Sequence, residues 1–366
     1  MVIFFSLIVL VLLSFILYIR SGVVGKAPDK KRRKLYEHYS NYTKGKFHNL
    51  SHTPDFAEGY SMIYVLYEYL FKRVPRQRPK DKLPSVKNNL HTISPDNDCI
   101  VWFGHSSYFL QLDGMTFLVD PVFSGNASPI PGTNRSFKGT DIYSVEDMPF
   151  IDILLLTHDH YDHLDHKTIV SLLPKIGKVI CGLGIGSHLE YWGYSPDKII
   201  EKNWYEYVSI AEGFTVFCEP ARHFSGRGFS RNSTLWVSFV VESPSMKIYI
   251  GGDSGYDSHY KAIAEKHQYF DLAILDNGQY DKAWQYIHHL PEEVLQVAQE
   301  IHAKQLFPVH SCKFVMANHS WDEPLERITE LNTLYNIPLM TPRIGEIVQL
   351  AMTKQVFTQW WKDSEL

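Results

Sequence analysis

At 366 residues the chain is long enough for one large core or two ordinary ones, and its 45% apolar and 21% charged residues are those of a folded globular protein. A net charge of −4 argues against general affinity for nucleic acid. The four cysteines, Cys99, Cys181, Cys218 and Cys312, are far apart and form no CxxC pair, so they read as buried reduced thiols.

Val2 to Ile19 is an uncharged run of Val, Ile, Leu and Phe, broken only by Ser6, Ser14 and Tyr18. As a helix it would span roughly 27 Å, close to the thickness of a bilayer core. No Lys or Arg precedes it, as a signal peptide would require, whereas Arg20, Lys26, Lys30, Lys31, Arg32, Arg33 and Lys34 follow it. Residues 1–20 are therefore expected to be an uncleaved single-pass anchor, with the rest of the chain cytoplasmic. Residues 21–90 read as a basic linker and N-terminal extension. Within them "YSMIYVLYEYLF" (60–71) reads as a helix packed on the domain, with "KRVPRQRPKDK" a solvated basic loop behind it. The competing reading is an interfacial helix whose basic flank meets anionic headgroups.

Residues 91–366 alternate strands and helices. "CIVWFGHSSYFLQLDGMTFLVDP" reads as strand, turn at Asp113-Gly114, strand, ending at Asp120-Pro121. "TLWVSFVVESPSMKIYIGGDS" repeats that plan, turning at Ser243-Pro244-Ser245 and ending at Asp253; the two hairpins suggest an internally duplicated α/β domain. Between them come the strand "FIDILLLTHDH", a helix "HKTIVSLLPKIG" stopped by Gly177, the strand "KVICG" and the short helix "GSHLEYWG". "FTVFCEPARH" and "AKQLFPVH" are further strands that each run into a histidine. His158, His223, Asp253 and His310 thus all sit just past a strand, where layered α/β folds gather ligands.

"LLLTHDHYDHLDH" (154–166) supplies the chemistry. Alternate side chains of a loop leaving a strand can face one point, so His158 and His160 suit one ion, and Asp162 and His163 a second. Imidazole with carboxylate favours zinc, with iron or manganese as alternatives. His223 and His310 would cap one ion each, and Asp253 could bridge both, holding them about 3.5 to 4 Å apart. Asp159, Asp165 and His166 are left to orient ligands or cap the next helix. His105 lies within a strand pattern and Asp120 in ordinary Asp-Pro turn chemistry; both read as structural or ligand-supporting. No G-x-S-x-G elbow supports a serine nucleophile.

H-x-H-x-D-H followed by a distant His, an Asp in "GD" and a final His resembles the metallo-β-lactamase-fold hydrolases. The resemblance implies a four-layer αββα sandwich with a dinuclear centre: His158, His160 and His223 on one ion, Asp162, His163 and His310 on the other, Asp253 bridging. "VWFGHSS", "LVDPVFS", "PARHFSGRG", "GGDSGYD" and "HHLPEE", within a similarity from about Asn41 onward, are similar to N-acyl-phosphatidylethanolamine-hydrolysing phospholipase D and its bacterial relatives. In that subgroup a histidine before the "PEE" helix lies at the site, which maps to His288, with His289 as its rival. The catalytic residues expected are Asp162, Asp253 and His288. The chain departs from the subgroup at "NGQY" (277–280) and at Asn203 in "EKNW". The implied reaction is phospholipase D-type hydrolysis of a phospholipid at a membrane, by water activated between the ions. Hydrolysis of a lactone or other cyclic ester is the alternative, and a metal-stabilised membrane scaffold without turnover a third reading. A homodimer is the assembly considered.

Overall fold

The computed structural model describes residues 5, 6, 9, 10, 13, 16, 18, 22–228, 230–351 and 355–362. Most of the apolar run from Val2 to Ile19 lies outside them. The described positions in it have helical backbone, and among the described residues no helix is long and apolar enough to cross a membrane.

The stretch read as a linker is folded against the rest. Helix α1 (Lys30–Tyr36) starts where the Asp29 carboxylate accepts the Arg32 N–H at 2.8 Å, an ordinary N-cap. Strands β1 (Tyr42–Thr43) and β2 (Lys46–Phe47) turn on Lys44 and Gly45, both at positive φ. The rings of Tyr36, Tyr42 and Phe47 lie 4.7 to 5.5 Å apart and join the largest core. Three aromatics scattered over twelve residues have no period, so nothing in the pattern marked them as core. Helix α2 (Met62–Phe71) goes the other way. Expected to pack on the domain, it leaves Ile63 81% and Phe71 69% exposed. A helix apolar on nearly every side has no polar face to turn to water, so a single contact on the body cannot cover it.

Beyond it, strands β3 (Cys99–Trp102), β4 (Tyr108–Leu112), β5 (Met115–Val119), β6 (Ile151–Leu156), β7 (Ile176–Gly182) and β8 (Ile199–Lys202) build the first sheet. Strands β9 (Tyr207–Ala211), β10 (Phe214–Glu219), β11 (Ser238–Glu242), β12 (Lys247–Ile250), β13 (Leu272–Asp276) and β14 (Leu306–Val309) build the second. β15 (Ile347–Gln349) returns to the free edge of β3, so the sheet orders are β15-β3-β4-β5-β6-β7-β8 and β14-β13-β12-β11-β10-β9. In each sheet an antiparallel meander, β3-β4-β5 or β10-β11-β12, runs into parallel strands. The repeated order of connections is the pattern that the paired hairpins implied.

Apolar residues alternate to both faces of each sheet. Ile100, Leu110 and Leu155 of the first meet Val216, Phe239 and Ile274 of the second in one core. Val101, Phe109 and Leu154 face outward against helices α3 (His166–Leu172) and α4 (Gly186–Tyr191). Tyr249, Ala273 and Leu275 face outward against α5 (His259–His267), α6 (Pro291–Glu300) and α7 (Glu323–Leu331). The result is a four-layer αββα sandwich whose central strands are buried on both faces, as parallel strands require, while the edge strands β8 and β9 are partly exposed.

Two local expectations change. α3 ends at Leu172, with Pro174 close behind, and Gly177 lies inside β7, where a Cβ would sit 2.7 Å from the Asp152 carbonyl. His105 is not in a strand: β3 stops at Trp102 and the chain turns through Gly104 and His105, both at positive φ, before β4. Because Phe47 is fully buried in the shared core, Phe47→Ala is expected to cost about 3–5 kcal/mol in urea unfolding of the whole chain. A loss below 1 kcal/mol would show the segment to be a loosely attached arm.

Candidate metal centre

The loops at one end of the two sheets meet where β5, β6, β12, β13 and β14 finish. All seven residues expected as ligands come together there. His158, His160 and His223 offer ligand atoms within 4.8 Å of one another; so do His158, His163 and Asp253; His105, Asp162, His163 and His310; and His223, Asp253 and His288. His160 Nδ1 lies 2.9 Å from His158 Nε2 and 3.2 Å from His223 Nε2. His163 Nε2 lies 3.1 Å from Asp253 Oδ2 and 3.4 Å from Asp162 Oδ2, and His310 Nδ1 is 3.1 Å from Asp253 Oδ1. Asp253, between these groups, is within 3.8 Å of both His158 and His223.

Three of the imidazoles are aimed by what their other edge touches. Thr157 Oγ1 is 3.0 Å from His158 Nδ1, Asp120 Oδ2 is 2.8 Å from His163 Nδ1, and the Ile287 carbonyl is 2.9 Å from His223 Nδ1. These contacts leave Nε2 of all three turned inward. Asp120 also accepts the backbone and hydroxyl donors of Thr157 at 2.9 and 2.6 Å, locking β5 to the start of the histidine loop. Asn49 clamps His223 from both sides, its Oδ1 accepting the His223 N–H and its amide donating to the His223 carbonyl. Asp159 points away from the cluster and accepts from Gly226 N–H at 2.7 Å and Thr234 hydroxyl at 2.8 Å. Asp165 stands at the N-cap position of α3, but its carboxylate takes the Ser124 N–H and the Thr168 hydroxyl instead of the helix backbone. His166 packs on Trp192, outside the cluster.

His105 proves closer than its sequence setting suggested. Its Nε2 is 2.8 Å from Asp162 Oδ2 and its ring is 4.1 Å from that of His310. The two histidine backbones pair, His105 N–H donating to Ser311 and His310 N–H to His105. His105, Asp120 and His310 all hold positive φ, which for such residues costs of order 1–3 kcal/mol each and persists only where the surroundings enforce it.

The electrostatics ask for a cation. Asp162 and Asp253 are buried, and among the described residues their ion pairs are with histidines alone. Burial, and then the neighbouring imidazoles, push His158, His223 and His310 well below the usual histidine range, into the neutral form that binds metal. His163 goes the other way: burial disfavours its charge, but Asp253, Asp162 and Asp120 outweigh that and hold it well above. Nε2 of His163 and Nε2 of His310 are buried with no hydrogen bond among the described residues. Neutral nitrogens at His158, His223 and His310, and two buried carboxylates faced only by imidazoles among the described residues, fit divalent metal, and a cluster without thiolate fits a nitrogen-and-oxygen site.

His288 lies beside this group, its ring 5.1 Å from those of both His223 and His310. Its side chain is 11% exposed and lines the cavity over the cluster, whereas His289 is fully buried behind it. The "NGQY" departure falls on the same wall, with Gln279 lining the cavity and Asn277 turned to the Pro324 carbonyl. Asn203 is elsewhere, accepting from Asn41. Asp276, which closes β13 and meets both histidines, was missed; it is a strand-end aspartate like Asp120 and Asp253, and that signal was available. Since Asp120 orients His163 without touching the cavity, Asp120→Asn is expected to weaken metal binding about 10- to 100-fold in chelator competition. An unchanged affinity would remove Asp120 from the site.

Residues 115–311 match the family model of a β-lactamase superfamily domain. The chain is 34% identical over 334 residues to an uncharacterised protein of Mycobacterium tuberculosis, covering 90% of this chain and 89% of the relative. It is 32% identical over 313 residues to N-acyl-phosphatidylethanolamine-hydrolyzing phospholipase D 1 of Caenorhabditis elegans, covering 76% of this chain and 86% of that one. A solved metallo hydrolase from Ignicoccus hospitalis shares the fold, with a TM-score of 0.53 at 18% identity over 69% of this chain and 97% of that one. With this fold and this gathering of histidine and aspartate at its strand ends, the chain belongs to the β-lactamase superfamily as a metal-dependent hydrolase.

Proposed function

We propose that the chain is a dinuclear-metal phosphodiesterase of phospholipase D type, releasing an N-acylethanolamine and phosphatidic acid from N-acyl-phosphatidylethanolamine or a related phospholipid. The observation that carries this reading is the cavity above the cluster. It holds 610 Å³ and is lined by His160, Asp162, His223, Asp253, His288 and His310. Met62, Val65 and Leu66 of α2 line it as well, with Trp284 and Ile287. The polar groups thus suit a phosphodiester and the apolar ones an acyl chain. The Caenorhabditis elegans relative carries the name of this reaction.

Helix α2 gives the cavity a surface through which a lipid can reach it. Its exposed Ile63, Tyr67, Leu70 and Phe71 would be buried in a headgroup layer, and residues 72–82 behind it carry six Lys and Arg for anionic lipid. In this reading the apolar run at Val2–Ile19 is a single-pass anchor that keeps the catalytic part at the cytoplasmic face.

His158, His160 and His223 would hold one zinc ion and Asp162, His163 and His310 the other, with Asp253 between them. Metal held there would lower the pKa of a nearby water toward neutrality and would offset charge on the phosphoryl oxygens. The chain's own contribution is placement. Asp162 and Asp253 would hold the ions against the cavity, and His288, with Nδ1 facing Asp276, would turn Nε2 toward the leaving oxygen as its proton donor.

The test is turnover by the full chain on mixed vesicles, with metal content measured, across N-acyl-phosphatidylethanolamine, phosphatidylcholine, cyclic phosphodiesters and lactones. Release of N-acylethanolamine with phosphatidic acid is expected, and Asp253→Asn is expected to lower it more than about 10³-fold. Activity on lactones alone overturns the reading. For the surface, Ile63→Glu with Phe71→Glu is expected to cut turnover of vesicle lipid about tenfold while leaving a soluble diester untouched. Equal effects on both substrates would place α2 outside lipid capture.

A further inference from the structure

The cavity over the metal centre carries a feature that holding metal does not require. Among the described residues that line it, Arg231 is the only lysine or arginine. Its guanidinium lies over the Phe224 ring, with Cζ 4.1 Å from the ring centroid. Phe224 in turn packs 4.4 Å from the ring of His160 and 4.9 Å from that of His223. The positive charge therefore stands one aromatic ring away from two of the expected ligands. Its Nη1 donates to Asp55 Oδ1 at 2.8 Å, and among the described residues Nε and Nη2 make no hydrogen bond.

Arg231 and Asp55 are both fixed at the root and open at the tip. Asn232 N–H donates to the Ser225 carbonyl and Phe47 N–H to the Asn232 carbonyl, each at 2.9 Å, so the backbone beside Arg231 is tied to the core. Thr53 Oγ1 accepts from Arg222 Nε at 3.0 Å, and Ala57 N–H donates to the Ala283 carbonyl at 2.8 Å. These bonds hold the segment that carries Asp55 on either side. Yet the side chains of Arg231 and Asp55 are 46% and 66% exposed. An ion pair so open to water contributes little to stability, which leaves its place on the cavity rim unexplained by folding alone. A guanidinium recognises phosphate through the paired donors of one edge, and Nε with Nη2 is such an edge. The Phe224 ring sets the plane of that edge without using its donors.

We propose that Arg231 is a substrate-binding residue that selects anionic diesters over neutral esters: its Nε–Nη2 edge takes a non-bridging phosphoryl oxygen at the rim, and Asp55 weakens that hold. The proposal rests on the phosphodiesterase reading above. A phosphodiester carries a negative charge on its non-bridging oxygens at neutral pH, whereas a lactone carries none. Arg231 attracts the first and is indifferent to the second. Asp55 stays on Nη1 and opposes the incoming anion, so the pair sets affinity between capture and release. That balance matters because the phosphomonoester product, with its greater charge, has to leave. Arg231 holds the diester alike before and during bond breaking, so its effect falls on KM and not on kcat.

The test titrates the zinc-loaded full chain, by calorimetry, with dibutyl phosphate, an anion, and with tributyl phosphate, its neutral counterpart. Arg231→Gln is expected to weaken binding of dibutyl phosphate about fivefold and to leave the weaker binding of tributyl phosphate within about twofold. Asp55→Asn keeps an oxygen for Nη1 but removes the charge, and is expected to tighten dibutyl phosphate about threefold. On vesicles of N-acyl-phosphatidylethanolamine the same two variants are expected to raise and to lower KM by about those factors, with kcat within about twofold. An ion pair that served the fold alone would make both substitutions act in one direction. Changes of the same sign, an equal loss for the neutral ester in Arg231→Gln, or a parent protein that does not bind dibutyl phosphate overturn the role of Arg231. Binding of dibutyl phosphate that depends on Arg231, in a parent protein that hydrolyses no diester, overturns the phosphodiesterase reading and leaves the anion site standing, which separates the two failures.

Discussion

Two buried carboxylates that, among the described residues, form ion pairs with no lysine or arginine set the terms for this molecule. Asp162 and Asp253 sit where the ends of two sheets meet, and the groups facing them are imidazoles. Such a charge is tolerable only with a cation or a dense set of donors in place. The supporting contacts serve that requirement. Asp120 ties Thr157 to His163, Asn49 holds His223, and His105 meets Asp162. The left-handed backbone at His105, Asp120 and His310 falls in the same small region, so part of the backbone strain lies where the ligands meet.

The sandwich supplies the rigidity that makes such strain affordable. Each sheet is covered on both faces, and the histidine loop leaves a central strand, β6, which is paired to neighbours on both sides. Ligands from β6, β10, β12 and β14 are far apart in sequence and adjacent in space because parallel strands of one sheet, and facing strands of two, finish at the same end. The β-lactamase superfamily domain spans both sheets, so the site belongs to the junction and to neither half alone.

Much of this was legible beforehand. The H-x-H-x-D-H spacing and the habit of strands running into His or Asp located seven residues that the fold brings together, because both signals are local and the sheet geometry does the rest. Three things were harder. The packing of Tyr36, Tyr42 and Phe47 depends on a tertiary surface that no periodicity records. Helix α2 satisfied the pattern of a core helix while lying exposed, because an all-round apolar helix looks the same whether protein or another apolar medium covers it. His105 was assigned to a strand because its neighbours are good strand formers; the glycine before it, at positive φ, was the sign of a turn.

The clamp of Asn49 on His223 has a consequence for the order in which the molecule is made. The two residues are 174 positions apart, and Asn49 bonds both main-chain groups of His223 as well as facing Trp236. The segment around Asn49 therefore leaves the ribosome with nothing to hold, and must wait until the chain has passed β10 and Trp236 before it can close over the histidine. Contacts of such long range slow folding and leave late steps exposed. The last histidine of the first triad is thus secured by a segment synthesised long before it, and the centre cannot mature until both have been made.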